Sequence, residues 1–151
     1  MSTLQTHLLA DLIGRKHECL NQLLELGRQQ FALVDQGEIT QLLKVLAAKQ
    51  QLLGRLQQIE HELDPFRDQR PEDRQWASPA AREKCAELIQ RTQTLFGQIM
   101  VQEKQSEQRL IQRRDEAATR LQGAHSASFA RGAYAAVPQQ QGSYLDLSTE
   151  N

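Results

Sequence analysis

The side chains best suited to chemistry in this 151-residue sequence are four histidines, His7, His17, His61 and His125, and two cysteines, Cys19 and Cys85. A dinuclear metal site in a helical bundle needs Glu-x-x-His steps, because residues three apart on a helix converge on one ion. No histidine here stands three places after an acid. His7 with Asp11, and His17 with Asn21, share helical faces, but neither pair completes a ligand set. The cysteines are too distant in sequence for a local zinc motif, and there is no Cys-x-x-Cys, glycine-rich phosphate loop or nucleophile elbow. The expectation is a protein that is not an enzyme and carries no metal and no cofactor.

Both cysteines fall within apolar helical stripes, where a thiol behaves as a small hydrophobe; a Cys19–Cys85 disulfide is the alternative. Two buried thiols fit a reducing cytoplasm. Asp11, Arg15, Lys16 and Glu18 break up the first twenty residues, which is unlike a signal peptide, and no stretch of about 18 apolar residues offers a membrane span. The net charge of -1 gives no field to attract nucleic acid or an acidic bilayer. The densest basic run, Lys104, Arg109, Arg113, Arg114 and Arg120, is interleaved with Glu103, Glu107, Asp115 and Glu116, as on a solvated helix. A cytoplasmic protein without nucleic-acid binding or membrane insertion is expected.

The elements that position these residues are helical. Twenty-three Gln and 22 Leu, against 12 Gly and Pro together, favour long helices over sheet. Ser2 and Gln5 have capping-box spacing, and the leucines from Leu4 onward, with Phe31 and Val34, predict a first helix over about 3–34. Gly14 and Gly27 inside it each cost roughly 1 kcal/mol relative to Ala, which packing must offset. Asp35, Gly37 and Glu38 predict a tight turn into an antiparallel second helix over about 36–63, ended by Pro65. Lys49 and Glu60 interrupt its stripe, with stems over apolar surface and charged ends in water. The segment 64–77 returns the chain, with a turn at Pro71 and with Phe66 and Trp76 pinning it to the bundle.

The third helix organises the rest. From Ser78, a suitable cap, and Pro79, a suitable first residue, the positions Ala81, Cys85, Leu88, Thr92, Leu95, Ile99, Gln102, Ser106, Leu110, Arg113 and Ala117 recur in steps of four and three. A helix over 79–122 would be roughly 65 Å long, beyond what two shorter helices cover. The fold class expected is therefore all-α: a helical hairpin plus a long third helix, a three-helix bundle of coiled-coil character over residues 1–122. Its late residues Leu110, Ile111, Ala117, Ala118 and Leu121 would be left to bind a partner helix, or a second copy of the chain. Residues 123–151 lose the Leu periodicity but keep Phe129, Tyr134, Tyr144, Leu145 and Leu147, suggesting a flexible docking tail; an inert tail or one folded back on the bundle is the alternative.

The Leu-rich first helix, Gln30-Phe31-Ala32-Leu33 with Asp35 at the turn, and then Leu42, Leu43, Lys49, Leu52, Leu53 and Leu56, resemble the FlgN family of flagellar export chaperones. Gly97-Gln98-Ile99-Met100 is similar to that family's Asn-Gly-x-Leu-Ile stretch, with Phe96 in place of the Asn. The likeness covers about residues 4–122. It implies binding of the C-terminal helical segments of hook-associated (hook-filament junction) proteins, which are kept unpolymerised and delivered for type III export. It also implies that a tail tyrosine, Tyr134 or Tyr144, docks on the cytoplasmic domain of the export gate. A self-associating structural coiled-coil adaptor, a homo-oligomer when free, is the alternative.

Overall fold

Helix α1 (Thr3–Gln36) begins where the sequence supplies a cap: the Ser2 amide donates to Gln5 Oε1 at 3.3 Å. It ends where Gly37 turns left-handed at φ 70°, so that the Glu38 amide reaches Leu33 O and the Gly37 amide reaches Val34 O. That glycine fixes the boundary, and helix α2 (Ile39–Arg67) accordingly starts three residues later than Asp35 capping would place it. A 3-10 turn (Pro71–Asp73) follows, then α3 (Pro79–Ala135), where Ser78 Oγ accepts from the Ala81 amide at 3.1 Å. This computed structural model describes residues 2–135, and they form an all-α fold of three helices.

Two helix ends depart from the sequence expectation. Pro65 does not stop α2, because the turn beyond it is held by other contacts: Phe66 is buried, Arg74 Nη2 donates to Phe66 O at 2.9 Å, and Arg67 pairs with Glu60 and Asp64 within the helix. Those contacts offset the hydrogen bond that proline cannot make. Nor does α3 stop at Gln122. It continues through 123–135, part of the expected flexible tail, where Ala124, Ala127, Ala130, Ala133 and Ala135 supply the strongest helix formers against Gly123 and Gly132. Tyr134 is thus a helical residue, while Tyr144 lies outside the described residues.

The chain divides into two compact units after Leu110, earlier than the boundary expected at residue 122. In the first, α1 and α2 form the antiparallel hairpin, and the early part of α3 adds Cys85, Leu95 and Ile99 to one core with Leu12, Leu20, Leu52, Ile59 and Leu63. The return segment is tied down by Trp76, packed against that core, and by Thr6 Oγ1, which donates to Gln75 O at 2.6 Å. The second unit's described residues are the α3 segment 111–135.

Polar groups set the register of the first unit. The Lys49 side chain does not reach water as its long stem suggested: it is buried, with Nζ bonded to Gln30 Oε1 at 2.6 Å on α1 and paired with Glu103 on α3. One cation therefore joins all three helices. A second cross-tie explains a glycine inside α1. Gln102 Nε2 donates to Leu24 O at 3.0 Å, and a Cβ on Gly27 would stand 1.8 Å from Gln102 Oε1. Gly97 is the contrast, since a Cβ there meets nothing within 4 Å. Gly97→Ala should raise stability by about 1 kcal/mol through helix propensity alone. Gly27→Ala should show no such gain, because the Gln102 amide must leave its bond to Leu24; urea midpoints of the two variants measure the difference.

Candidate functional site

The α3 stripe changes character along its length. Cys85, Thr92, Leu95, Ile99 and Ser106 are buried, yet Leu110, the next position in the same stripe, is 43% exposed. The expected partner-binding residues beyond it are also open: Ile111 is 42% and Leu121 72% exposed, and Ala117 and Ala118 are exposed. Within the second unit the seven-residue step from Ile111 to Ala118 makes one row, and the four-residue step from Ala117 to Leu121 makes a second beside it. Arg114 projects from between the rows and pairs with Asp115 at 3.4 Å, while Arg113 reaches Glu116 at 3.5 Å. This helix face offers apolar contact with one cation in its middle. Tyr134 is 94% exposed, and Leu110 belongs to the first unit.

Sequence reasoning missed another surface. It merged the leucines of α2 into one stripe, whereas they form two. Val45, Lys49, Leu52, Ile59, Leu63 and Phe66 are buried in the hairpin. Ile39, Leu43, Leu46 and Leu53 are 62%, 61%, 40% and 46% exposed and follow their own alternation of four and three once Gln50 is included. Separating the two rows by phase would have found the second. Beside it a groove of about 460 Å³ opens between α2 and α3, over Ile13 and Lys16 of α1, with Leu56, Glu60 and Phe96 in its walls. Lys16 Nζ bonds Glu60 at 2.6 Å inside this groove, so its charges are already matched.

Among the described residues no three of His, Cys, Asp and Glu come together in a cluster that could hold a metal, and no helix is long and apolar enough to cross a membrane. His17 and Asn21 do meet, at 3.4 Å, on an exposed face. Comparison with protein-family models, with curated proteins and with solved structures gave no match.

Cys19 and Cys85 are buried and unpaired, and Cys19 Sγ donates to Leu52 O at 3.2 Å. Burial pushes both thiols above the ordinary range. Arg55 and a backbone hydrogen bond from Leu56 oppose the rise at Cys19, and Arg74 opposes it at Cys85. A raised folded-state value means that the native chain holds these protons longer than the unfolded chain. Their contribution to stability is therefore complete below the ordinary thiol range and is lost as pH rises through the raised values. At neutral pH, iodoacetamide should label both thiols roughly tenfold or more slowly in the native protein than in urea, as followed by mass spectrometry, with native labelling accelerating only in alkaline solution.

Proposed function

We propose that this protein is a cytoplasmic flagellar export chaperone of the FlgN type, which lends a helix face to the C-terminal helical segment of a hook-associated protein and carries it to the export gate. The observation carrying this reading is the exposed face of Ile111, Ala117, Ala118 and Leu121 on a helix whose seam is covered only as far as Ser106. A segment that later buries its apolar face against another subunit is prone to aggregate beforehand, and a helix of matching pattern gives it a temporary partner. Arg114, within that face, favours a client helix bearing a carboxylate at the facing position.

The energetics suit release. Covering ~600 Å² of apolar surface, counted over both partners, gives roughly 15 kcal/mol gross at ~25 cal/mol per Å², before the costs of immobilising two helices. What survives is modest and reversible. In the same reading a tail tyrosine, Tyr134 or Tyr144, contacts the cytoplasmic domain of the gate, as the resemblance to the FlgN family implies.

Replacing Leu110 and Leu121 together by Ser should abolish co-purification of the client while leaving helix content by far-UV circular dichroism unchanged. Undiminished client binding would remove this surface from the mechanism. Truncation after Gly132 should retain the client but weaken its delivery to the gate, whereas loss of client binding on truncation would fuse the two roles.

A further inference from the structure

Within the second unit the open face of α3 has a charge pattern of its own. Ile111, Arg114, Ala118, Leu121, His125 and Ser128 recur in steps of three and four, the spacing at which one helix meets another. Arg114 and His125 are eleven residues apart, close to three full turns, so both basic groups stand on the same side of the helix, roughly 16 Å apart along its axis. Both are exposed. Arg113, Arg120 and Arg131, spaced by seven and eleven, follow one edge of that face. Residues 111–135 carry four arginines against two acids, a net charge of +2 in a chain whose total is -1. The two acids, Asp115 and Glu116, pair with Arg114 and Arg113, and no acid follows them in the described helix.

We infer that the partner of this face is an acidic amphipathic helix with carboxylates at two seam positions eleven residues apart, one facing Arg114 and the other His125. The inference deepens the chaperone reading and rests on it for the partner's role. A second copy of the chain would bring the same cations to the seam, so like charges would meet. An anionic lipid surface matches the charge but not the shape, because Ala117, Ala118 and Ala124 bury little in a bilayer, whereas the large side chains of a facing helix fit over them. The Arg114–Asp115 pair is exposed, so exchanging it for a partner's carboxylate costs little. At His125 the contact is conditional. No charged residue lies within four positions of it on α3, the only described element of this unit, so the charge it meets is the partner's alone. An imidazole changes charge between pH 5 and 8, and a carboxylate opposite it favours the cation. Binding therefore tightens as pH falls from 8 to 6.

Fluorescence anisotropy of labelled helical peptides, titrated with the full-length protein, tests the inference. The peptides share one leucine seam and differ only at two seam positions eleven apart, which are both Glu, both Gln or both Lys. At pH 6 the Glu peptide should bind about tenfold more tightly than the Gln peptide, roughly threefold for each charge pair, and the Lys peptide should be the weakest. Arg114→Gln should cut the preference for Glu to about threefold at either pH. His125→Gln should do the same at pH 6 and change nothing at pH 8. Both side chains are exposed, so far-UV circular dichroism of the two variants should match the wild type. Equal affinity for the three peptides, or a preference for Glu that ignores both substitutions, would overturn the inference, as would uptake by phosphatidylglycerol vesicles with no peptide bound. If a hook-associated C-terminal peptide binds the wild type and both variants equally but not the Leu110→Ser, Leu121→Ser protein, the inference falls and the chaperone reading stands. If neither that peptide nor any of the three binds, both fall.

Discussion

One face of α1 has to serve two neighbours, and this sharing governs the rest of the structure. Leu9, Leu12, Leu20 and Leu23 belong to a core completed by Leu52, Ile59 and Leu63 of α2 and by Cys85, Leu95 and Ile99 of α3. The shared face is only as long as α1, 34 residues, whereas α3 runs for 57. At ~1.5 Å per residue the difference is roughly 35 Å of helix. Near the end of the shared length the apolar seam gives way to polar ties: Gln102 to Leu24, Lys49 to Gln30 and Glu103, and Arg109 to Asp35. They pin the register where a sliding seam would otherwise be permitted, since leucine rows alone tolerate shifts of a whole heptad.

Most of this could be read from residue types and spacing. The steps of four and three on α3 located its buried positions through Ser106, and the Ser78-Pro79 pair located its start. Gly37 was legible as punctuation, though its role as the left-handed end of α1 was not, and the turn therefore fell a few residues from where acidic caps suggested. Four features were hidden for physical reasons. Pro65 stays within α2 because Arg74, nine residues on, satisfies the Phe66 carbonyl. Lys49 is buried because Gln30 and Glu103, distant in sequence, converge on it. The Ala-rich 123–135 segment has helix propensity without apolar periodicity, so a reading weighted toward periodicity discards it. The two rows on α2 differ only in phase, and a count of leucines averages them away.

Two kinds of unpartnered apolar surface result. On α3 an open face carries a cation among small and large apolar residues, which suits a transient helix with a matching carboxylate. On α2 a second apolar row, Ile39, Leu43, Leu46 and Leu53, is left exposed beside an uncharged flank of small residues. In the proposed chaperone role, keeping the permanent core apart from the lending surface is an advantage, because local unfolding at one need not loosen the other. The covered and uncovered parts of the α3 stripe, buried through Ser106 and exposed from Leu110, provide that division within a single helix.

Amide hydrogen exchange of the full-length protein tests this division most directly. A helical segment held chiefly by its own backbone hydrogen bonds is marginal in water, whereas one packed on a core exchanges only by larger openings. The account predicts strong protection over 85–106, a sharp fall beyond residue 110, and recovery of protection over 111–121 when a C-terminal helical peptide from a hook-associated protein is added. Uniformly strong protection through residue 121 in the free protein would contradict it.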